Sequence, residues 1–306
     1  MTTKPGLFSG VLVPALTPFK QDLSPDAARF TALCKYLLAQ GANGLAVFGT
    51  TSEGNSISVA ERNQLLDHLA AEGIDTATLL PGTGACALTD AVELTRHAVD
   101  IGAGGVLVLP PFYYKNQSND GYYAYFSEII QRIGDAKLKL YLYHFPQMSA
   151  APVSIDLIAR LHGDYPDTVV GLKDSSGNWD GTRRMIAEFP EMAIFPSSET
   201  LVNEGLQLGA AGCISATANV QVGAIRQLIE AHGTPEANAL HDQVAAVRSV
   251  FEGYPLVSAL KATLARDTGD ASWHALRPPL TPLAAEQAAE LANALDSIAG
   301  YAPVTL

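Results

Sequence analysis

Short apolar runs alternate with segments of helical periodicity over residues 1–233, and this alternation constrains the fold of the chain most. Runs of this length are predicted as strands, and they occupy residues 10–16, 44–48, 78–81, 105–109, 138–143, 169–172, 193–196 and 212–215. Eight strand–helix units predict an α/β fold of the (β/α)8 TIM barrel type. An open doubly wound sheet is the main alternative. It usually has fewer units, and no Gly-x-Gly-x-x-Gly fingerprint follows the first run.

The helical segments between these runs indicate where the barrel ends. They cover residues 25–40, 59–72, 87–101, 120–133, 155–161, 181–188, 200–208 and 220–232, and capping residues such as Ser24 and Ser154 precede some of them. After about residue 234 no further strand is predicted, and residues 235–252, 255–267 and 283–298 are predicted as helices. We therefore expect residues 1–233 to form a catalytic barrel and residues 234–306 to form a C-terminal three-helix extension.

Composition excludes several classes of partner. The formal net charge of −12 disfavours nucleic acid and anionic membranes, because both attract Lys and Arg. No apolar run reaches membrane-spanning length, and the first residues lack the apolar core of a signal peptide.

Cys34, Cys86 and Cys213 are widely spaced, which is typical of reduced thiols. The histidines show no metal-ligand spacing. We expect a cytoplasmic protein that needs no metal and no other cofactor.

A single lysine ends one of the predicted strands. The run 169–172 is followed by Lys173 and then by a polar, glycine-containing loop. Lysine is normally kept out of buried strands, and the carboxyl end of a barrel strand is where active sites lie. An amine held there is a candidate Schiff-base nucleophile, although most lysines are solvated surface charges.

Other polar residues follow the remaining predicted strands. Gly49-Thr50-Thr51 is typical of an anion-binding nest, or alternatively of a simple capped turn. Tyr143 is either a proton-transfer group or a half-buried strand tyrosine. Further candidates at strand ends are Tyr113, Tyr114, Ser197, Ser198 and Glu199.

Taken together, these motifs resemble the dihydrodipicolinate synthase/N-acetylneuraminate lyase family of pyruvate-dependent class I aldolases. The resemblance covers about residue 10 to the C-terminus, and four motifs carry it: Gly-Thr-Thr-x-Glu at 49–53, Tyr-x-x-Pro at 143–146, Gly-x-Lys-Asp-Ser-Ser-Gly at 171–177, and Gly-Cys-Ile-Ser-Ala-Thr-Ala-Asn at 212–219.

The resemblance implies a role for each matching residue. Lys173 would form the Schiff base with the C2 carbonyl of a 2-oxo acid, and Tyr143 would be the general acid/base. Gly49, Thr50 and Thr51 would hold the acid's carboxylate. One tyrosine of the pair Tyr113 and Tyr114 would complete a hydroxyl relay with Thr50 and Tyr143 from a neighbouring subunit. Ile214 would contact the substrate, and the assembly would be a homotetramer built as a dimer of dimers.

Departures from the family pattern bear on the substrate. Dihydrodipicolinate synthases carry an arginine just after Tyr-x-x-Pro, and Met148 stands at that place here. Sialic acid lyases use an acidic pair and a serine where this chain has Glu199-Thr200 and Ala216, and Ser52 replaces the usual glycine of the 49–53 motif. No second cation can be placed in the barrel mouth from sequence. Ser197, Ser198 and Glu199 are predicted hydroxyl-binding groups, with Met148 as an apolar contact.

These observations predict a Schiff-base-forming lyase. The expected reaction is pyruvate-releasing aldol cleavage, or dehydration, of a 2-keto-3-deoxy sugar acid. One alternative is the condensation of pyruvate with an aldehyde by a 4-hydroxy-tetrahydrodipicolinate synthase. An alternative of another class is a non-catalytic sugar-acid-binding protein on the same fold.

Overall fold

The computed structural model describes residues 6–306, and parallel strands organise its first part. The strands are β1 (Gly10–Val13), β2 (Gly44–Leu45), β3 (Val106–Val108), β4 (Leu140–His144), β5 (Val169–Asp174), β6 (Ala193–Pro196) and β7 (Gly212–Ile214). Their hydrogen bonds form two sheets, with the orders β2-β1-β7 and β3-β4-β5-β6, and every pairing is parallel.

Two seams join these sheets into a closed barrel. On one side, the segment 79–83 lies between β2 and β3 and makes the bridges Leu45–Leu79 and Gly82–Leu107. On the other side, the amide of Ala211 donates to the carbonyl of Ile194 at 2.9 Å, beside β6 and β7. The predicted TIM barrel with C-terminal helices is therefore the fold of the chain.

The prediction of a regular strand at residues 78–81 was wrong in detail. A 3-10 turn occupies Thr76–Thr78, and the following segment is bonded by isolated bridges alone. Pro81 has no N–H to donate and only accepts, from the amide of Leu107 at 2.9 Å. The segment still fills the third strand position of the barrel.

Helices surround the strands at nearly the predicted bounds, apart from the short helix at Pro146–Ser149, which was not predicted. They are α1 (Ala27–Ala39), α2 (Val59–Ala71), α3 (Leu88–Asp100), α4 (Asn119–Ile133), α5 (Pro146–Ser149), α6 (Ile155–Asp164), α7 (Trp179–Glu188), α8 (Val202–Leu208) and α9 (Ala218–Glu230). Ser154 caps α6, as predicted, by accepting from the amide of Leu157. The cap of α1 is Asp26, not Ser24, because its carboxylate accepts from the amide of Arg29.

Large side chains fill the barrel interior below the carboxyl ends of the strands. Tyr141 is fully buried there, and its hydroxyl accepts from the amide of Phe8 at 3.1 Å, near the amino ends. Gly171 makes room for this ring, because a Cβ at that position would lie 2.2 Å from Tyr141 Cδ1. The interior is thus closed from below, and a site can open only at the carboxyl ends.

The C-terminal extension packs on the barrel through a shared core. It contains α10 (Glu236–Phe251), α11 (Leu256–Thr268) and α12 (Ala285–Asp296). Buried Phe251, Leu264 and Trp273 belong to the same hydrophobic cluster as Leu37 and Leu69 of the barrel helices. The domain boundary at residues 233 and 234 stays a prediction. Within residues 6–306, no helix is long and apolar enough to cross a membrane.

Candidate active site

Three functional groups meet at the carboxyl ends of β4 and β5. Lys173 Nζ lies 3.2 Å from the hydroxyl oxygen of Tyr143, which lies 3.3 Å from Thr50 Oγ1. Register explains the first contact, because Tyr143 of β4 pairs directly with Lys173 of β5. Lys173 and Tyr143 retain 6% and 3% of their exposure. The structure thus brings an amine, a phenol and a hydroxyl from distant parts of the sequence into one continuous series of contacts.

Opposing influences act on the Tyr143 phenol. Burial would raise its pKa, but the Lys173 ammonium and hydrogen bonds with Thr50, Lys173 and Ser175 outweigh burial and lower the pKa from 10.0. The ammonium also lies 4.3 Å from the centre of the Tyr143 ring. A phenol that ionises more readily than usual is suited to accept and return a proton. Ser175 was not predicted. Its position two residues beyond Lys173 was the only available signal.

Backbone geometry holds the 49–54 loop in a tight turn beside Tyr143. The amide of Gly54 donates to the carbonyl of Gly49 at 2.9 Å, and the amide of Glu53 donates to that of Thr50 at 3.1 Å. Phe48 and Glu53 both adopt positive φ, at 61° and 55°. A Cβ at Gly54 would lie 1.9 Å from the carbonyl oxygen of Phe48. Such strained conformations persist where the surroundings dictate them, often at functional sites.

Two neighbouring residues of this loop, Thr51 and Ser52, are buried. Ser52 is fully buried with its backbone carbonyl accepting from Thr17 Oγ1 at 2.8 Å. Among the described residues, the Ser52 hydroxyl has no hydrogen-bond partner. The residue that replaces the usual glycine of the motif is therefore accommodated inside the protein and not at its surface.

Tyr113, Tyr114 and Met148 lie on the surface of the single chain. The two tyrosines are 74% and 73% exposed and contact each other edge to face, with ring centres 5.3 Å apart. Met148, in α5, is 60% exposed. No hydrogen bond joins either tyrosine to Thr50 or Tyr143 within the described part of the chain.

A cation that sequence reasoning did not place near the site approaches the Met148 segment. Lys115 Nζ donates to the carbonyl of Ser149 at 3.3 Å and also to that of Phe112. Its charge therefore lies beside the residue that follows Met148. Sequence alone did not show this contact, because it depends on how two loops meet.

Glu199 does not have the free carboxylate that the sequence prediction requires. Its side chain is fully buried, and it accepts from the hydroxyls of Ser215 and Thr217 and from Gln221 Nε2 at 2.7 Å. Arg248 Nη1 lies 3.9 Å from its second oxygen. We therefore remove Glu199 from the candidate substrate contacts. The physical reason is that these partners, distant in sequence, already use both carboxylate oxygens.

The remaining candidates of this side keep positions compatible with a ligand contact. Ser197 and Ser198 are partly exposed at the end of β6, although the Ser198 hydroxyl is shared with Thr200 Oγ1 at 2.7 Å. Ile214 of β7 is buried in the cluster that fills the barrel interior together with Tyr143.

His144 was not predicted to belong to the site, and its Nδ1 accepts from the amide of Val153 at 3.0 Å. Within residues 6–306 no cluster of His, Cys, Asp and Glu could hold a metal ion.

Comparisons with known proteins agree with this geometry. The model of the dihydrodipicolinate synthetase family matches residues 7–298. A protein described as a DapA-like lyase from Chloroflexus aurantiacus is 36% identical over 297 residues, which is 96% of this chain and 98% of that protein. Dihydrodipicolinate synthase from Agrobacterium tumefaciens has a TM-score of 0.87 and 30% identity, covering 95% of this chain and 99% of that one. YagE from E. coli K12, a prophage protein of the dihydrodipicolinic acid synthase family solved with pyruvate, has a TM-score of 0.87 and 26% identity over 95% of this chain and 99% of its own.

Proposed function

The chain belongs to the dihydrodipicolinate synthetase family, and on this premise we propose that it is a Schiff-base-forming lyase acting on a 2-oxo acid. The proposed reaction is pyruvate-releasing aldol cleavage, or dehydration, of a 2-keto-3-deoxy sugar acid. The observation that carries the proposal is the buried contact of 3.2 Å between Lys173 Nζ and the Tyr143 hydroxyl. An amine and a phenol in contact at the carboxyl ends of barrel strands support the roles of nucleophile and proton-transfer group that we propose for them.

In the proposed chemistry, the Lys173 amine adds to the C2 carbonyl and water leaves, giving an iminium. The iminium receives the electron pair of the C3–C4 bond as that bond breaks, while Tyr143 takes the proton of the C4 hydroxyl. An aldehyde departs and an enamine remains. Protonation at C3 and hydrolysis of the imine then release pyruvate and restore the lysine. In dehydration, the same iminium promotes loss of a C3 proton, and the C4 hydroxyl leaves as water. Neither route requires another cofactor.

Gly49, Thr50 and Thr51 are the proposed receptor of the substrate carboxylate. Their turn lies beside the phenol, since Thr50 Oγ1 is 3.3 Å from the Tyr143 oxygen. A carboxylate held there by hydroxyls and backbone N–H groups would orient C2 toward Lys173. Ile214, buried in the same interior cluster as Tyr143, is the proposed apolar contact for the carbon chain.

The proposed far end of the substrate carries neutral hydroxyls. Ser197 and Ser198 are partly exposed hydroxyl groups at the end of β6, and Met148 gives α5 an apolar tip. Tyr113 or Tyr114 of a neighbouring copy is proposed to complete the hydroxyl relay, because both rings are mostly exposed in a single chain. This arrangement requires a homo-oligomer, for which we propose the tetramer implied by the family.

A condensation of pyruvate with an aldehyde is the second candidate. The similarity to dihydrodipicolinate synthase from Agrobacterium tumefaciens favours it, as does the Lys115 ammonium beside Ser149, which could receive a second carboxylate. Met148, which stands where dihydrodipicolinate synthases carry an arginine, disfavours this reaction. A bidentate guanidinium contact is strong, and its loss weakens the binding of a carboxylate.

Comparison of kcat/KM for the two reactions on one preparation tests the proposal. We expect measurable cleavage or dehydration of 2-keto-3-deoxy aldonic acids and little condensation of pyruvate with aspartate semialdehyde. Efficient condensation would overturn the substrate assignment. Lys115→Met would then show whether that lysine replaces the arginine, since its removal should raise KM for the semialdehyde but not for pyruvate.

A further inference from the structure

A fully buried ion pair lies behind the 49–54 loop. Lys261 of α11 and Glu53 both have side chains with no exposed surface. The Lys261 ammonium donates to one carboxylate oxygen of Glu53 and to the carbonyl of Ala275, the latter at 2.8 Å. The backbone N–H of Arg277 donates to the other oxygen of Glu53 at 3.1 Å. The C-terminal extension thus contacts the loop that carries Thr50 and Thr51 directly, through hydrogen bonds to Glu53.

Stability alone is a poor explanation for such a pair. Removing two charges from water is costly, and well-packed apolar residues often serve a fold as well or better. Burial indeed lowers the pKa of Lys261, although Glu53 opposes this effect. Its neighbour Arg277 is engaged elsewhere, because its guanidinium pairs with Glu61. Lys261 is therefore the cation in direct contact with Glu53, whereas Arg277 adds a weaker interaction from a greater distance.

The position of Glu53 explains why its charge matters. Glu53 is two positions after Thr51 in the sequence, so their Cα atoms are at most about 7 Å apart. A buried, uncompensated carboxylate roughly 10 Å from a bound anion would weaken anion binding about tenfold at the effective dielectric of a protein. A receptor for carboxylates cannot have such a charge behind it without a counter-ion.

We propose that Lys261 is a positioning residue for substrate binding: it acts through Glu53, by cancelling the charge behind the 49–54 loop. The inference rests on the proposed function, because it takes this loop to be the receptor of the 2-oxo acid carboxylate. It assigns to the C-terminal extension a part in substrate affinity.

The test measures how borohydride trapping of pyruvate depends on pyruvate concentration. The variants are Lys261→Met, which removes only the cation, Glu53→Gln, which removes only the anion, and the double variant, which removes both. Lys35→Met is the matched control, because the same change is made at an exposed lysine 3.7 Å from Glu72. Circular dichroism and thermal unfolding establish that each variant is folded.

The charge account predicts an asymmetric result. The pyruvate concentration that gives half-maximal trapping should rise about tenfold in Lys261→Met. It should not rise in Glu53→Gln. In the double variant it should return to within about threefold of the value for the unmodified protein. Equal increases in the two single variants, or none in Lys261→Met, would overturn the inference. If Lys261→Met does not fold, Glu53→Gln must bind pyruvate at least as tightly as the double variant, and weaker binding would overturn it. Absence of trapping in the unmodified protein would refute the proposed function itself.

Discussion

At the scale of residues, the proposed chemistry depends on the contact between Lys173 and Tyr143. Sequence alone identified Lys173, because a lysine at the end of an apolar run is unusual, and it identified Tyr143 by a motif. It could not tell whether the two side chains touch, since they are 30 residues apart and only strand register joins them. The Tyr143 phenol has a lowered pKa because the charge and hydrogen bonds around it outweigh its burial.

This balance predicts the ionisation of Tyr143. Ultraviolet difference titration of the unmodified protein against Tyr143→Phe isolates the signal of this tyrosine, which should ionise at lower pH than an ordinary tyrosine. Lys173→Met removes the neighbouring charge but leaves the burial, so the transition should move to higher pH. An unchanged transition in Lys173→Met would mean that Lys173 does not lower the pKa of Tyr143.

Tyr143→Phe itself should still trap pyruvate but turn over about 10²–10⁴-fold more slowly.

At the scale of elements, the loops after the strands decide which predicted residues can meet a ligand. The strand positions followed from the apolar runs, so residues at strand ends were found. Glu199 was assigned wrongly because hydroxyls of the loop after β7 and the amide of Gln221 in α9 surround its carboxylate. Lys261 was missed because a lysine in a helix usually lies in solvent, and its partner Glu53 is 208 residues away.

Glu199→Gln is predicted to affect stability more than substrate affinity. The buried carboxylate accepts several hydrogen bonds, and hydrogen bonds to a charged group contribute about 1.5–3 kcal/mol each. Denaturant unfolding should show a loss of roughly that size, and KM for the cleaved acid should change less than about threefold. A large increase in KM with unchanged stability would restore Glu199 as a ligand contact. Thr200→Ser, on the same loop, serves as the conservative control.

At the scale of the whole molecule, the fold class was predictable from the residues, whereas the tetramer stays an expectation from the family resemblance. The count of strand–helix units pointed to a barrel, and the structure has that architecture with a helical extension sharing its core. No pattern in one sequence shows which surface a second copy covers. The structure adds that Tyr113 and Tyr114, predicted to complete the relay, are 74% and 73% exposed.

Exposed aromatic side chains of this size predict an oligomer that buries them. Sedimentation velocity should give the mass of a tetramer, and Tyr113→Ala or Tyr114→Ala should weaken the assembly and reduce turnover together. Gln117→Ala, at an exposed position nearby, is the matched control. A monomer with full activity would contradict the supply of a tyrosine from a neighbouring copy.

The central claim is that Lys173 forms a covalent imine with a 2-oxo acid, and borohydride trapping tests it most directly. After incubation with pyruvate and borohydride, mass spectrometry should find one reduced pyruvyl group per chain, on the peptide that contains Lys173. Lys173→Ala should be folded and unlabelled, whereas Lys261, the other lysine that is buried among residues 6–306, should carry no label in the unmodified protein. Labelling of a different lysine, or none with any of a panel of 2-oxo acids, would contradict the account.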